Sequence, residues 1–406
     1  MATEQLPGPQ RRDHGGRLGP MALTYHVTAL QLAIYFNREG DHDHNGLVFA
    51  LTRNVPILRY IAALQSETSV GLDALYAAAV PVAEEAQVAI PDVADLDQAR
   101  RVARAPHELV RPLVLRANVG DDVEVVLQNQ ISERRVGLHL IADGYAVRTD
   151  DGSAVGANPD TLVDPGDTRT YRWHCAHEGV FPFHDAGNYS GGEDGTNVHG
   201  LFGALVVEPP HAIWRDPVTG RTSADGELDG LYLDVIPSGE VPSSTIPSSS
   251  TTLAEHVWPA PKDYACFSRD SYREFVVFFH DEPEFVPPHA DLPANPCAEA
   301  NGAPDEAGGD HGGAAGAGGA PSETGGGHGG AGGAHGAGGE LPIMPISYRA
   351  EPMVNRERTL WGLLEAGHVL ERPVLNEEQH HSSWMFGDPA TPILKAYIGR
   401  SCCCRG

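Results

Sequence analysis

The sequence predicts an all-β chain, a two-sheet sandwich present as one complete domain plus the start of a second. Three observations carry this. Extended runs rich in β-branched and aromatic residues recur along the chain. Turn signals such as NPD and DPGD separate them at short intervals, the rhythm of an antiparallel sandwich. Two short motifs also recur in the same order, AIYFNRE at 33–39 as VVFFHDE at 276–282, and LRANVGD at 115–121 as LKAYIGR at 394–400.

Taken in order, residues 1–21 hold Arg11 and Arg12 but no apolar run behind them, so they read as a disordered N-terminus rather than a signal peptide. The first domain spans 22–210. Tyr25 to Phe36 is its first strand, followed by the polar turn NREGDHDHNG and a second strand, LVFAL. Residues from about 71 to 104 are Ala- and Glu-rich and read as a partly helical insertion. In LVLRANVGDDVEVVLQN a Gly-Asp turn joins two extended runs, and Val123, Val125 and Leu127 alternate as a half-buried strand requires. Further strands are expected around Gly137–Ile141, Thr168–Trp173, Val180–His184 and Leu201–Val207.

Residues 211–270 read as a linker, and 271–399 as an incomplete second domain. Its Gly/Ala-rich spacer, 302–339, has no side chains able to offset the entropy of ordering it. With that spacer removed, the intervals between the paired motifs nearly agree, which is the case for a tandem duplication. The second copy runs only to its LKAYIG strand. GRSCCCRG, residues 400–406 apart from its first letter, offers no alternating strand, so the chain reads as the N-terminal part of a longer protein, truncated or frame-shifted.

Charge narrows the partners. The chain carries 28 basic and 55 acidic residues, a net charge of −27, which argues against nucleic acid and anionic membrane surfaces. No apolar run is long enough to span a bilayer. The cysteines form no disulfide framework: Cys175, Cys266 and Cys297 are scattered and Cys402, Cys403 and Cys404 crowd the C-terminus. With no signal peptide or membrane span read, the default compartment is the cytoplasm.

The segment 136–209 carries a family resemblance. VGLHLIADG, NPDTLVDPGDTRTYRW, EGVFPFHDAG and HGLFGALVVEP follow one another as do the motifs in the first domain of multicopper oxidases. RPLVLRANVGD, SYRAEPM and HHSSWMFGDPATPILKAYIG resemble the large bacterial members related to manganese oxidases. The resemblance implies a cupredoxin-like Greek-key β-sandwich and a copper cofactor. It further implies an oxidoreductase that takes electrons from a small reducing substrate, phenolic or a metal ion, and passes them to dioxygen.

Imidazole nitrogen binds copper well, and a His-x-His strand aims two imidazoles to one side. Here each family motif keeps one histidine, His139 in Leu138-His139-Leu140 and His184 in His184-Asp185-Ala186. Asp185 stands at the thiolate position of a blue-copper site, and Leu201 where its axial Met often stands. The candidate ligands are therefore His139, His184 and His199, a set too small for the family's trinuclear cluster, so the chain by itself is expected to be inactive. The alternative is a non-catalytic cupredoxin-like metal-binding or structural module. His174, Cys175 and His177 lie close in sequence, but neighbours on a strand face opposite ways, so they read as a strand end entering a turn. His42, His44, His380 and His381 lie in polar loop sequence and read as solvated.

Overall fold

A computed structural model describes residues 22–67, 70–188, 194–217, 219–224, 227–237, 272–280, 283 and 345–350, and the backbone of 401–405. The spacer, Cys266, Cys297, His380, His381 and the strand expected at 393–398 lie outside these residues. In chain order the strands are β1 (Ala22–Gln31), β2 (Ile34–Tyr35), β3 (His42–Asp43) and β4 (Leu47–Leu51). Helices α1 (Val55–Gln65), α2 (Leu72–Ala86) and α3 (Leu96–Ala103) follow. Then come β5 (Leu113–Asn118), β6 (Asp122–Asn129), β7 (His139–Leu140), the short α4 (Val147–Asp150), β8 (Thr168–His174), β9 (Gly179–His184) and β10 (Phe202–Glu208). A third group comprises β11 (Ile213–Arg215), β12 (Tyr232–Ile236), β13 (Tyr272–Val276) and β14 (Ser401–Arg405).

Two four-stranded sheets, ordered β4-β1-β6-β8 and β5-β10-β9-β7, form the sandwich. The fold is all-β and cupredoxin-like with a helical insertion. One core lies between the sheets. Leu23, Tyr25, Val27, Val123, Val125, Leu127, Tyr171 and Trp173 face it from one side, Leu113, Leu115, Phe183, Leu205 and Val207 from the other. This burial follows from the period-two pattern, since alternate residues of a strand share a face. The pairing is mixed rather than wholly antiparallel, because β1 runs parallel to β6 and β5 parallel to β10. The chain leaves each sheet and returns before those neighbours pair, so their direction is not bound by a hairpin.

The helical insertion begins earlier than its composition suggests. In α1, Pro56 sits in the first turn, where its missing N–H costs nothing, and Ile57, Leu58, Tyr60, Ile61 and Leu64 are buried at helical spacing. The helices share a core of their own with Leu72, Ala79, Ala83, Ala99 and Ala103. Leu58 joins Leu30, Ile34, Phe36, Val48 and Tyr348 in a further cluster, which is why the later half of β1 is buried on both faces. Residues 345–350 are anchored there. Tyr348 donates to the Gly200 carbonyl, and Arg349 donates to those of His107 at 2.7 Å and Val110 at 3.2 Å.

Two expectations need correction. The stretch read as a linker supplies β11 and β12, with Trp214, Leu233, Val235 and Ile236 buried. The C-terminal SCCCR, read as unable to form a strand, is β14 and pairs in parallel with β13. Backbone ladder bonds need no side-chain alternation, so a partner strand suffices. The β13–β14 pairing has the direction of β1–β6, and the strands hold corresponding places beside the repeated motifs. This third sheet rests on the outer face of β5 and β10 through Val114, Val206 and Val276. Among the described residues, no helix is long and apolar enough to cross a membrane.

Candidate metal centre

The strands β7 and β9 bring two of the candidate ligands together. His139 and His184 are directly opposed in register, with ring centroids 5.3 Å apart and planes at 60°. Glycines make this approach possible. A Cβ on Gly137 would lie 1.8 Å from the Gly152 carbonyl oxygen, and Gly152 has a φ of +69°, so the 151–153 turn can lie directly against residues 137–139. The Asp151 carbonyl consequently meets His139 Nδ1 at 2.7 Å.

A carbonyl oxygen only accepts, so that contact fixes the proton on Nδ1 and the lone pair on Nε2. His184 is oriented in the same way, with Nδ1 2.8 Å from the Asp185 carbonyl oxygen. Such carbonyl contacts are how metal-binding imidazoles are commonly oriented. Burial, followed by the neighbouring His139, pushes the His184 pKa below the usual histidine value. Both effects favour the neutral imidazole that ligation needs. The Asp151 carboxylate lies 3.5 Å from His139 Nδ1 and takes hydrogen bonds from Tyr145 and Ser153.

Asp185 is a structural hub. Its buried carboxylate accepts from Gly137 N at 2.6 Å, Gly187 N at 2.9 Å, Asn188 N at 3.2 Å and Thr196 Oγ1 at 2.7 Å. These bonds tie β9 to the start of the β7 segment and to the 187–196 loop.

His199 is placed differently. It is buried just before β10, its Nδ1 2.9 Å from Asp43 Oδ2. Nearby, His280 Nε2 donates to the Asn197 carbonyl at 3.1 Å, and its ring stands edge-on to Phe202. The sequence reading missed this Asp43, His199 and His280 neighbourhood, although one signal existed: His280 occupies in VVFFHDE the place of the buried Asn37 in AIYFNRE. His42, expected in solvent, is buried and stacked on Tyr35 at 4.7 Å. His174 and His177 are exposed while Cys175 is buried in the sandwich core, so the three face different ways. Burial pushes the Cys175 thiol up to about 12. Among the described residues, no group of three or more His, Cys, Asp or Glu is arranged to hold a metal ion.

Burial of His280 predicts a pH dependence. Its pKa is pushed down from 6.5 to about 4. Between these values the unfolded chain binds a proton there and the folded chain does not, so stability falls as pH drops from 6.5 towards 4. Denaturant unfolding at pH ~7 and ~5 should show that His280→Gln removes about 2 kcal/mol of the wild-type loss. Equal losses in both proteins would refute it.

The two four-stranded sheets and the opposed histidine pair at their edge make up a cupredoxin-like domain. A family model described as multicopper oxidase matches residues 93–212. A probable nitrite reductase-hydroxylamine oxidoreductase fusion protein of Kuenenia stuttgartiensis is 32% identical over 98 residues, 24% of this chain and 11% of that protein. Among solved structures, the multicopper oxidase mgLAC aligns at 17% identity and a TM-score of 0.27, covering 46% of this chain and 39% of that one. A copper nitrite reductase from Nitrosomonas europaea aligns at 16% and 0.25, covering 46% and 42%. The chain thus spans about a tenth of the curated relative and about two fifths of these two structures.

Proposed function

We propose that this chain is the N-terminal, copper-holding part of a multicopper-oxidase-type oxidoreductase, with His139 and His184 as copper ligands through Nε2. The observation that carries the reading is the register-paired imidazoles, each with Nδ1 held by a backbone carbonyl. Nitrogen donors of this kind suit copper. Copper would supply one-electron chemistry, between a phenolic or metal-ion substrate and dioxygen in the complete enzyme. The chain's own residues bind and orient: the 151–153 turn aims His139, and Asp185 sets the strand that aims His184. Further ligands would come from water or from segments outside the described residues. His199, engaged with Asp43, stands apart from this pair. We read residues 271–399, apart from the Gly/Ala-rich spacer, as an incomplete second module produced by duplication.

A second reading, a non-catalytic metal-binding or structural module, is favoured by one observation. Asp185 sits where a thiolate would stand, and its carboxylate is occupied by four hydrogen bonds. Cu(II) titration of the full chain, followed by paramagnetic resonance and absorption, tests both readings. Nitrogen-coupled copper is expected, weakened about tenfold or more by His139→Ala and by His184→Ala, in line with loss of a ligand. No intense blue band should appear, because that band needs a copper–thiolate bond, the residue after His184 is Asp185 rather than a cysteine, and Cys175, the one cysteine among the described side chains, is in the core. A spectrum without nitrogen coupling, or one unchanged in both variants, would remove the metal assignment and leave the structural module.

A further inference from the structure

A cavity of about 430 Å³ opens where the helical insertion meets the turn between β2 and β3, well within the size of small-ligand sites. Arg38 reaches it from that turn, Arg100, Arg101 and Arg104 from the end of α3 and just beyond, and Tyr35 and His42 form one wall. In a chain of net charge −27, four arginines at one opening run against the overall field.

Their pairing is uneven. Arg100 donates to the Glu67 carbonyl at 2.9 Å and Arg104 pairs with the Glu67 carboxylate at 2.5 Å. Arg38 and Arg101 have no hydrogen bond or ion pair among the described residues, and the Tyr35 hydroxyl has no hydrogen-bond partner among them either. Glu39 and Asp97 also border the opening. Favourable interaction with the α3 dipole accounts for positive charge in that helix's last turn. It does not account for Arg38, which comes from another element, or for a tyrosine at the same opening.

We propose that this cavity is a binding site for a small multivalent oxyanion, held by Arg38 and Arg101 with the Tyr35 hydroxyl as an added donor. A guanidinium offers two parallel N–H donors matched to carboxylate or phosphate oxygens. Two such forks brought from different elements to one opening, with a neutral phenol donor beside them, select an anion with more than one oxyanion group over a simple halide. The site is separate from the histidine pair and stands whether or not that pair binds copper.

Calorimetric titration of the full chain at low ionic strength, with citrate and with inorganic phosphate in separate arms, is the test. At least one anion should bind one to one, and the arm that responds identifies carboxylate or phosphate as the recognised group. Arg38→Ala and Arg101→Ala should each weaken binding tenfold or more. Both side chains are exposed and unpaired, so the variants should keep the wild-type circular dichroism and melting behaviour. Chloride at matched ionic strength should not displace the ligand. The proposal is overturned if neither anion binds in the millimolar range, if either variant retains wild-type affinity, or if chloride competes equally.

Discussion

Arg116→Ala is expected to cost about 3–5 kcal/mol, the range for removing one partner from a buried ion cluster. Arg116 on β5 is fully buried and pairs with two carboxylates that are fully buried themselves, Glu208 on β10 at 2.5 Å and Glu274 on β13. Tyr272 adds a hydrogen bond to Glu208 at 3.2 Å. The cluster links the sandwich to the third sheet, so alanine at 116 leaves two like charges facing each other without their cation. The expected signature in urea unfolding is a lower midpoint with an early, partial transition as β13 separates from the β5–β10 sheet.

The same geometry predicts that removing all the charges is far milder. Arg116 Nε and Nη2 have no hydrogen-bond partner among the described residues, so the cluster does not recover the full cost of burying its charge. Arg116→Met with Glu208→Leu and Glu274→Leu should lie within about 2 kcal/mol of wild type, as apolar replacements of buried ionic clusters often do. A loss under about 1 kcal/mol for Arg116→Ala alone would show that the cluster is not the clamp described.

Asp185→Ala should produce the largest combined effect on fold and site. The carboxylate satisfies three backbone N–H groups and one hydroxyl, and its bond from Gly137 N is buried. Hydrogen bonds to a charged group contribute about 1.5–3 kcal/mol each, and an unsatisfied buried donor adds its desolvation cost, so a loss of about 3 kcal/mol or more is expected. Copper affinity should fall about 10–100-fold, because the β7 and β9 ends that aim His139 and His184 lose their common anchor. Asp185→Asn retains an acceptor for Gly137 and Gly187 and should keep more than half of both. Wild-type stability and copper binding in the alanine variant would mean that the histidines are held by the sheet alone.

The candidate site was legible where local pattern and family motif coincide. His139 opens β7 and His184 ends β9, and paired strands have few ways to align, so proximity was open to inference. His199 was harder. It follows a turn rather than lying within a strand, and its partner Asp43 is 156 residues away along the chain. His42 was misread for a related reason: polar sequence suggested solvent, but Tyr35 covers the ring across a hairpin only a few residues long.

The sequence by itself determined the sandwich, because period-two burial in runs such as DVEVVLQN has one solution: one face in the core and one outside. It also determined which strands carry the paired histidines and that no cysteine stands beside His184. Only the tertiary structure decided the parallel pairing of β1 with β6, the strand formed by SCCCR, the placement of Arg116 between Glu208 and Glu274, and the meeting of Arg38 with α3. Each of these depends on which distant segment supplies the neighbouring backbone or the opposite charge. Hydrophobic periodicity reports whether a residue is buried, while hydrogen-bond and ion partners across long loops are set by the packing of whole sheets.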